Sequence, residues 1–172
     1  MAYKIDAAHS KVGFAVRHMM ISTVRGSFAT PTLELSLDPN DLTKSSVKVT
    51  IDAASVNTGE SARDGHLRSG DFFDVENHPN ITFVSTSAKH KGDDLELTGD
   101  LTIRGTTRSV TLKGEGHGPA KDPWGNNRFA FTLSGDIDRE DFGLKWNQAL
   151  EAGGVLVAKK VKLEIDVQLV EG

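Results

Sequence analysis

The chain contains no cysteine, which excludes disulfide frameworks, thiolate zinc sites and cysteine nucleophiles together. Aromatic residues make up only 6% of it, with 2 tryptophans, so few large side chains are on hand to plug an interior. Positive charge is not in excess: 20 Lys and Arg stand against 24 Asp and Glu, a formal net charge of −4. A mildly acidic protein of this kind has no overall electrostatic footprint for nucleic acid or anionic membranes. No stretch reaches the roughly 18 uninterrupted apolar residues of a membrane-spanning helix, so stable insertion into a bilayer is not expected. The opening Met-Ala-Tyr-Lys-Ile-Asp lacks the basic segment followed by an apolar one that marks a secretory leader. The expected compartment is the cytoplasm, with the periplasm the alternative for a chain whose leader has been removed.

What the sequence does have is alternation. Its 172 residues fit one domain spanning 1–172, with enough chain for a full core. From Lys160 to Val170, Val161, Leu163, Ile165, Val167 and Leu169 face one way, and Lys160, Lys162, Glu164, Asp166 and Gln168 face the other. A strand with one wet face requires this period of two. Leu95 to Arg104 repeats it, and so do shorter runs around Val12, Val47, Val110 and Phe129. Phe28 to Leu37 and Ile81 to Ala88 give two further strands with less regular faces.

Turn chemistry separates these runs. Lys91-Gly92-Asp93-Asp94 and Arg104-Gly105-Thr106-Thr107 are hairpin signals, while Asp38-Pro39 and Asp122-Pro123 open longer loops. Between Asn57 and Phe73 the alternation stops. Thr58 is the expected N-cap of a short helix over Glu60 to Leu67, ended by Gly70. A helical turn is also expected around Met19 to Ser22. Eight strands with short connections predict an all-β sandwich or up-and-down barrel. Ser85, Ser87, Gly99 and Gly114 fall in register with inward apolar residues and are expected to leave room inside. Patterning alone leaves a hollow barrel and a packed one equally open. A hollow one would be lined by aliphatic groups, and its ligand would be apolar along most of its length.

Catalytic constellations fare poorly. The six histidines (His9, His18, His66, His78, His90 and His117) show neither the i, i+4 spacing of a helical zinc site nor an i, i+2 pair on a strand. Ser10, His66 and Asp64 could be assembled into a triad only without a Gly-x-Ser-x-Gly elbow. Asp93-Asp94 and Glu140-Asp141 suit solvated turns, and Gly114 to Gly118 lacks the following helix of a phosphate cradle. No catalytic residue, metal ligand or cofactor is expected. Within Arg63 to Arg68, Arg63 is expected to pair with Asp71 or Asp64 and hold the helix on the barrel rim.

Several blocks together resemble a known family. They are Asp6-Ala7-Ala8-His9-Ser10, Val12-Gly13-Phe14-Ala15-Val16-Arg17-His18, Ser55-Val56-Asn57-Thr58, Arg63-Asp64-Gly65-His66-Leu67, Asp71-Phe72-Phe73-Asp74, His78-Pro79-Asn80-Ile81-Thr82-Phe83 and Asp138-Arg139-Glu140-Asp141-Phe142-Gly143. The chain resembles, over nearly its whole length, the YceI-like proteins, lipocalin-like barrels associated with polyisoprenoid binding. The resemblance implies an eight-stranded antiparallel up-and-down barrel with a short helix between strands three and four. It also implies a pore holding an isoprenoid or fatty-acid-like chain, and a homodimer. On this reading Phe14, Val16, Phe28, Val49, Ile51, Phe83, Leu101, Ile103, Leu112, Phe129, Phe131 and Ile165 are the candidate pore residues. Arg63, Asp64 and His66 are candidate contacts for a polar head group at the mouth. The expected function is sequestration or transport of a prenylated quinone or polyprenyl chain, with no enzymatic activity. Two rivals are a barrel enzyme working through His18 and His66, and a packed barrel that serves as a stress-response interaction protein.

Overall fold

The period-two segments become strands because each can bury one face and wet the other. The computed structural model describes residues 3–148 and 156–172. Its strands are β1 (Tyr3–Ile5), β2 (Lys11–His18), β3 (Ser22–Ser27), β4 (Thr32–Ser36), β5 (Ser46–Asp52), β6 (Asn80–Lys91), β7 (Asp94–Ile103), β8 (Thr106–Lys121), β9 (Asn127–Asp138) and β10 (Val157–Glu171). One helix, α1 (Ser61–Arg68), lies between β5 and β6. The strands form a single antiparallel sheet in the order β3-β2-β10-β9-β8-β7-β6-β5-β4. β1 joins the same edge of β10 as β2, opposite Leu169 to Glu171, after a short 3-10 turn at Ala7–His9.

The two outer strands, β3 and β4, are consecutive pieces of one stretch of chain. Its first part pairs with β2, Gly26 facing Phe14, and its second part pairs with β5, Leu33 facing Val49. Four residues, Phe28 to Pro31, separate the two. The Phe28 N–H donates to Val12 O at 3.0 Å, and Pro31 has no N–H to give. The chain therefore changes partner strand here, and the sheet curls into a barrel without a β3–β4 ladder among the described residues.

The strand count is ten rather than eight. Tyr3–Ile5 and Ser22–Ser27 add strands, and the expected strand from Phe28 begins only at Thr32. The helical turn expected at Met19 to Ser22 is instead the tip of the β2–β3 hairpin, where His18 faces Ser22 and Met19 and Met20 have φ of 56° and 63°. The turns at Gly92-Asp93 and Arg104-Gly105 fall where turn chemistry places them, each joining strands through two residues. Arg104 and Gly105 both take positive φ, 50° and 75°, as the tight hairpin twist requires. The helix starts at Ser61 with Glu60 in the cap position and no side-chain cap, so Thr58 is not its N-cap. Its last residue is Arg68, and Ser69, whose N–H and hydroxyl both donate to His66 O, caps it one residue before the expected Gly70.

One ion cluster ties the start of the chain to β9. Arg128 Nη1 donates to Asp6 Oδ2 and Arg128 Nε to Asp122 Oδ2, both at 2.7 Å. The Arg128 guanidinium, helped by His9, holds the Asp6 carboxyl down to about 2, and the same guanidinium lowers Asp122. A depressed folded-state value means stability that is complete above the ordinary carboxylate range and is lost as pH falls through the folded value. The melting temperature is therefore expected to drop between about pH 4 and pH 2. Arg128→Met should lower it at neutral pH and flatten that acid dependence. Thermal melts followed by circular dichroism across this range check both, and an unchanged slope would show that the cluster carries no stability.

Candidate functional site

The inward faces of the strands enclose a cavity of about 280 Å³. A single water needs roughly 10–15 Å³ on the same measure, so the barrel is hollow. Its wall is hydrocarbon almost throughout. Val12, Phe14 and Val16 come from β2, Leu33 and Leu35 from β4, Leu95, Leu97 and Leu101 from β7, and Val161, Leu163 and Ile165 from β10. Among the described residues, side-chain polar groups enter the wall only at Ser45, Ser46 and Arg139. Phe72 and Phe73, in the segment after α1, cover one end with Phe142 and Leu144, all four buried. At the other end Leu42, Phe129 and Leu169 form a smaller cluster with Tyr3 and Ile5.

Of the candidate pore residues, Phe14, Val16, Phe28, Val49, Ile51, Phe83, Leu101, Ile103, Leu112, Phe131 and Ile165 line the cavity. Phe129 does not: its ring packs edge-on against Tyr3 at 5.3 Å and is 1% exposed. The wall also uses Phe72, Phe73, Phe142 and Leu144, which lie outside the strands and so carry no alternation to reveal them.

The small residues play a different part from the one expected. A Cβ added to Gly99 would lie 2.5 Å from Phe83 Cζ, and one on Gly116 would lie 3.2 Å from the Phe131 ring. Gly26 likewise accommodates the Phe14 ring across the β2–β3 pair. Each glycine lets an aromatic ring lie over bare backbone. The rings are thereby kept in the wall, and the glycines do not themselves create the space. Ser85 Oγ accepts the Val47 N–H at 2.9 Å, so it too is occupied in the wall.

Arg63, Asp64 and His66 are not brought to the cavity; from α1, Leu67 reaches it. Arg63 pairs with neither Asp71 nor Asp64. It donates to Thr58 Oγ1 at 2.7 Å and Thr58 O at 2.8 Å. Asp64 is buried and accepts the Thr58 N–H at 2.9 Å and the Thr58 hydroxyl at 2.5 Å. The Thr58 hydroxyl is the main reason its carboxyl is held below the usual range. His66 Nε2 lies 2.8 Å from Asp71 Oδ2, with its ring edge-on to Phe72 and Trp146. These residues fasten the helix and its loop over the barrel end, as expected of this segment, but through Thr58.

Arg139 is buried on the cavity wall, and among the described residues no carboxylate pairs with it. Its guanidinium donates to four main-chain carbonyls: Ala158, Leu144, Trp146 and Val157, at 2.5 to 3.2 Å. Burial lowers its pKa. It stitches the strap after β9 to the start of β10.

No nucleophile–base pair emerges from the proposed triad. Ser10 Oγ accepts the Gln168 N–H at 3.1 Å, while His66 and Asp64 have the partners just described. Among the described residues no group of three or more His, Asp or Glu converges on a metal-sized site, and no helix is long and apolar enough to cross a membrane.

A curled antiparallel sheet around an apolar hollow places the protein among the lipocalin-like barrels. The chain belongs to the YceI-like domain family, whose model matches residues 3–169. A Staphylococcus epidermidis protein, UPF0312 protein SERP2314, is 39% identical over 167 residues, covering 96% of this chain and 95% of its own. The YCEI protein of Campylobacter jejuni matches with a TM-score of 0.78 at 32% identity, over 100% of this chain and 99% of its own. BcnA of Burkholderia cenocepacia matches with a TM-score of 0.82 at 25% identity, over 96% and 99%. A polyisoprenoid binding domain from Saccharophagus degradans shares the fold, with a TM-score of 0.67 at 16% identity over 98% of both chains.

Leaving the Thr58 groups without their buried acceptor should destabilise the helix end. Asp64→Ala is expected to cost about 1–3 kcal/mol in urea denaturation. Adding Thr58→Ala should cost less than the sum of the two single losses, since both remove the hydroxyl–carboxylate bond, the remainder being the Thr58 acceptor that Arg63 Nε loses. Fully additive losses would show that Asp64 and Thr58 do not act as a pair.

Proposed function

We propose that this protein binds a long apolar lipid, a polyisoprenoid or a fatty chain, in its barrel cavity and keeps it out of water for sequestration or transfer. The observation that carries the reading is the cavity itself, about 280 Å³ walled almost wholly by hydrocarbon. The polyisoprenoid-binding name of the Saccharophagus degradans relative supports the same ligand class.

Magnitudes favour length. Each buried methylene contributes about 0.8 kcal/mol, and association costs on the order of 4–15 kcal/mol before anything is gained. A ligand of a few carbons does not cover that cost, and one with about ten or more begins to. Among the described residues the wall offers no carboxylate and few polar side chains to orient a small polar substrate, which favours binding over chemistry on the ligand. The enzyme reading through His18 and His66 is correspondingly weaker: neither lines the cavity, and they stand on different elements, β2 and α1.

Mass spectrometry of an organic-solvent extract, beside the native mass of the intact protein, is expected to show a stoichiometric isoprenoid or fatty-chain species. Val49→Trp and Leu163→Trp, which fill the cavity from two walls, should leave the melting temperature nearly unchanged and reduce lipid retention at least about tenfold. A packed barrel would instead lose about 1–3 kcal/mol to overpacking. A lipid-free extract from protein that also refuses added polyprenyl lipids would overturn the reading.

A further inference from the structure

The tip of the β2–β3 hairpin breaks two local rules in the same place. Met19, Met20 and Ile21 are three apolar residues in a row, 45%, 58% and 77% exposed, where ordinary surfaces carry such residues singly. Met19 and Met20 also adopt left-handed backbone, φ 56° and 63°, a conformation for which turns normally recruit Gly, Asn or Asp. A polar turn would have suited both the solvent and the dihedrals. Instead the Met turn is held in shape. The Met19 N–H donates to Leu156 O at 2.7 Å, the Ile21 N–H to His18 O at 3.3 Å, and Arg17 Nη2 to Met20 O at 3.2 Å.

Charge around the tip departs from that of the whole. The protein has 24 acidic residues, yet residues 7 to 33 contain none. Arg17 and Arg25 stand exposed on β2 and β3, and Lys159, Lys160 and Lys162 are exposed at the start of the adjoining β10. Among the described residues the acidic groups facing this belt are Glu164, Glu140, Asp136 and Asp138. The first three pair at 3.3 to 3.4 Å with Arg25, Lys159 and Lys160 respectively, and Asp138, across the ladder from Lys160, accepts the Glu140 N–H. Arg17 bonds a hydroxyl and a carbonyl and has no carboxylate partner among the described residues. An apolar tip backed by a basic belt is the arrangement that seats a protein segment in the interface of an anionic bilayer.

The tip also adjoins the cavity. Val157, which lines the wall, pairs with His18, one residue before the tip, and Val161 pairs with Val16, both also on the wall.

We propose that Met19, Met20 and Ile21 dip into the surface of an anionic lipid bilayer, with Arg17 and Arg25 at the phosphates, so that the cavity exchanges its lipid with the membrane at this end. The docking stands on the hairpin alone; the exchange rests on the lipid-binding function proposed above. A long apolar lipid has negligible solubility in water, so a protein that holds one must collect it from a membrane surface, and the loading end should carry the docking device.

The test uses phosphatidylcholine vesicles with and without a third of phosphatidylglycerol, and the double variant Met20→Ser, Ile21→Ser, whose changed side chains lie outside the cavity. Wild-type protein is expected to co-sediment with the anionic vesicles, less so as salt rises, and the variant to lose at least about tenfold in binding. Transfer of a labelled polyprenyl lipid from vesicles should slow by a similar factor in the variant, while uptake of the same lipid from detergent stays unchanged. Equal transfer by both proteins, or no vesicle binding by the wild type, overturns the proposal. So does a wild-type dimer that the variant abolishes without any vesicle binding, which would make the tip a contact between copies. Failure of both proteins to take up lipid from detergent would instead strike the cavity-binding function, while co-sedimentation still decides the docking.

Discussion

A sheet that curls on itself has to deal with two edge strands, and the rest of this structure depends on how that is done. Unpaired edges are templates for aggregation, and a hollow barrel has no central core to hold its walls together. Here residues 22 to 36 serve both edges. The first part pairs with β2 and the second with β5. At the break the walls meet through side chains: Phe28 lies against Phe14 on one side and Phe73 on the other, both at 5.8 Å between ring centres. A single bridge, Ser27 to Asn57, adds backbone bonds. Lower down, Leu33 and Leu35 reach the cluster that contains Tyr3, Ile5 and Phe129. Rings and leucines thus close the wall where a ladder does not.

Hollowness follows from where the large residues are placed. Protein interiors normally pack as densely as organic crystals, and Phe side chains are the usual filler. In this barrel Phe14, Phe83 and Phe131 lie over Gly26, Gly99 and Gly116. Each ring covers backbone that a side chain would otherwise have covered, and it extends less toward the axis. The surfaces left facing the centre are mostly Val, Leu and Ile. Their contacts across the void are missing, so an apolar ligand that fits restores dispersion energy to the wall as well as shedding its own water.

Much of this was legible in the sequence, and what was not has identifiable causes. Leu95 to Arg104 and Lys160 to Val170 announce their faces because a half-buried strand must alternate, and the turns at Gly92 and Gly105 follow from their dihedral demands. β3 was hidden because Thr23 and Arg25 are polar and Gly26 leaves no inward side chain to count. The helical turn expected at Met19 failed because two left-handed methionines contradict turn propensity, which is itself a sign of a special site. Gly99 and Gly114 suggest empty space, but the Phe83 ring covers Gly99 and the Thr132 backbone crowds Gly114, and only coordinates distinguish filled from empty. Charge alone matches Arg63 to a nearby carboxylate, whereas hydrogen-bond geometry gives it the hydroxyl and carbonyl of Thr58. The barrel end was least legible, since Phe72, Phe142 and Leu144 sit in irregular chain without period.

Irregular chain buried at a barrel end raises a problem that hydrocarbon cannot solve. Residues 143 to 148 leave the ladder after β9, yet Leu144 is buried, so main-chain carbonyls there lose water without gaining a strand partner. Each unsatisfied carbonyl would cost about 1–3 kcal/mol. Arg139 supplies donors to four carbonyls from one side chain, which a lysine, with three donors on one nitrogen and no planar fork, would not match. A carboxylate partner would have satisfied the arginine and left the strap carbonyls bare. The buried cation is therefore a device of the strap: it lets a non-strand segment close one end of a hollow barrel, beside the hairpin that carries the exposed methionines.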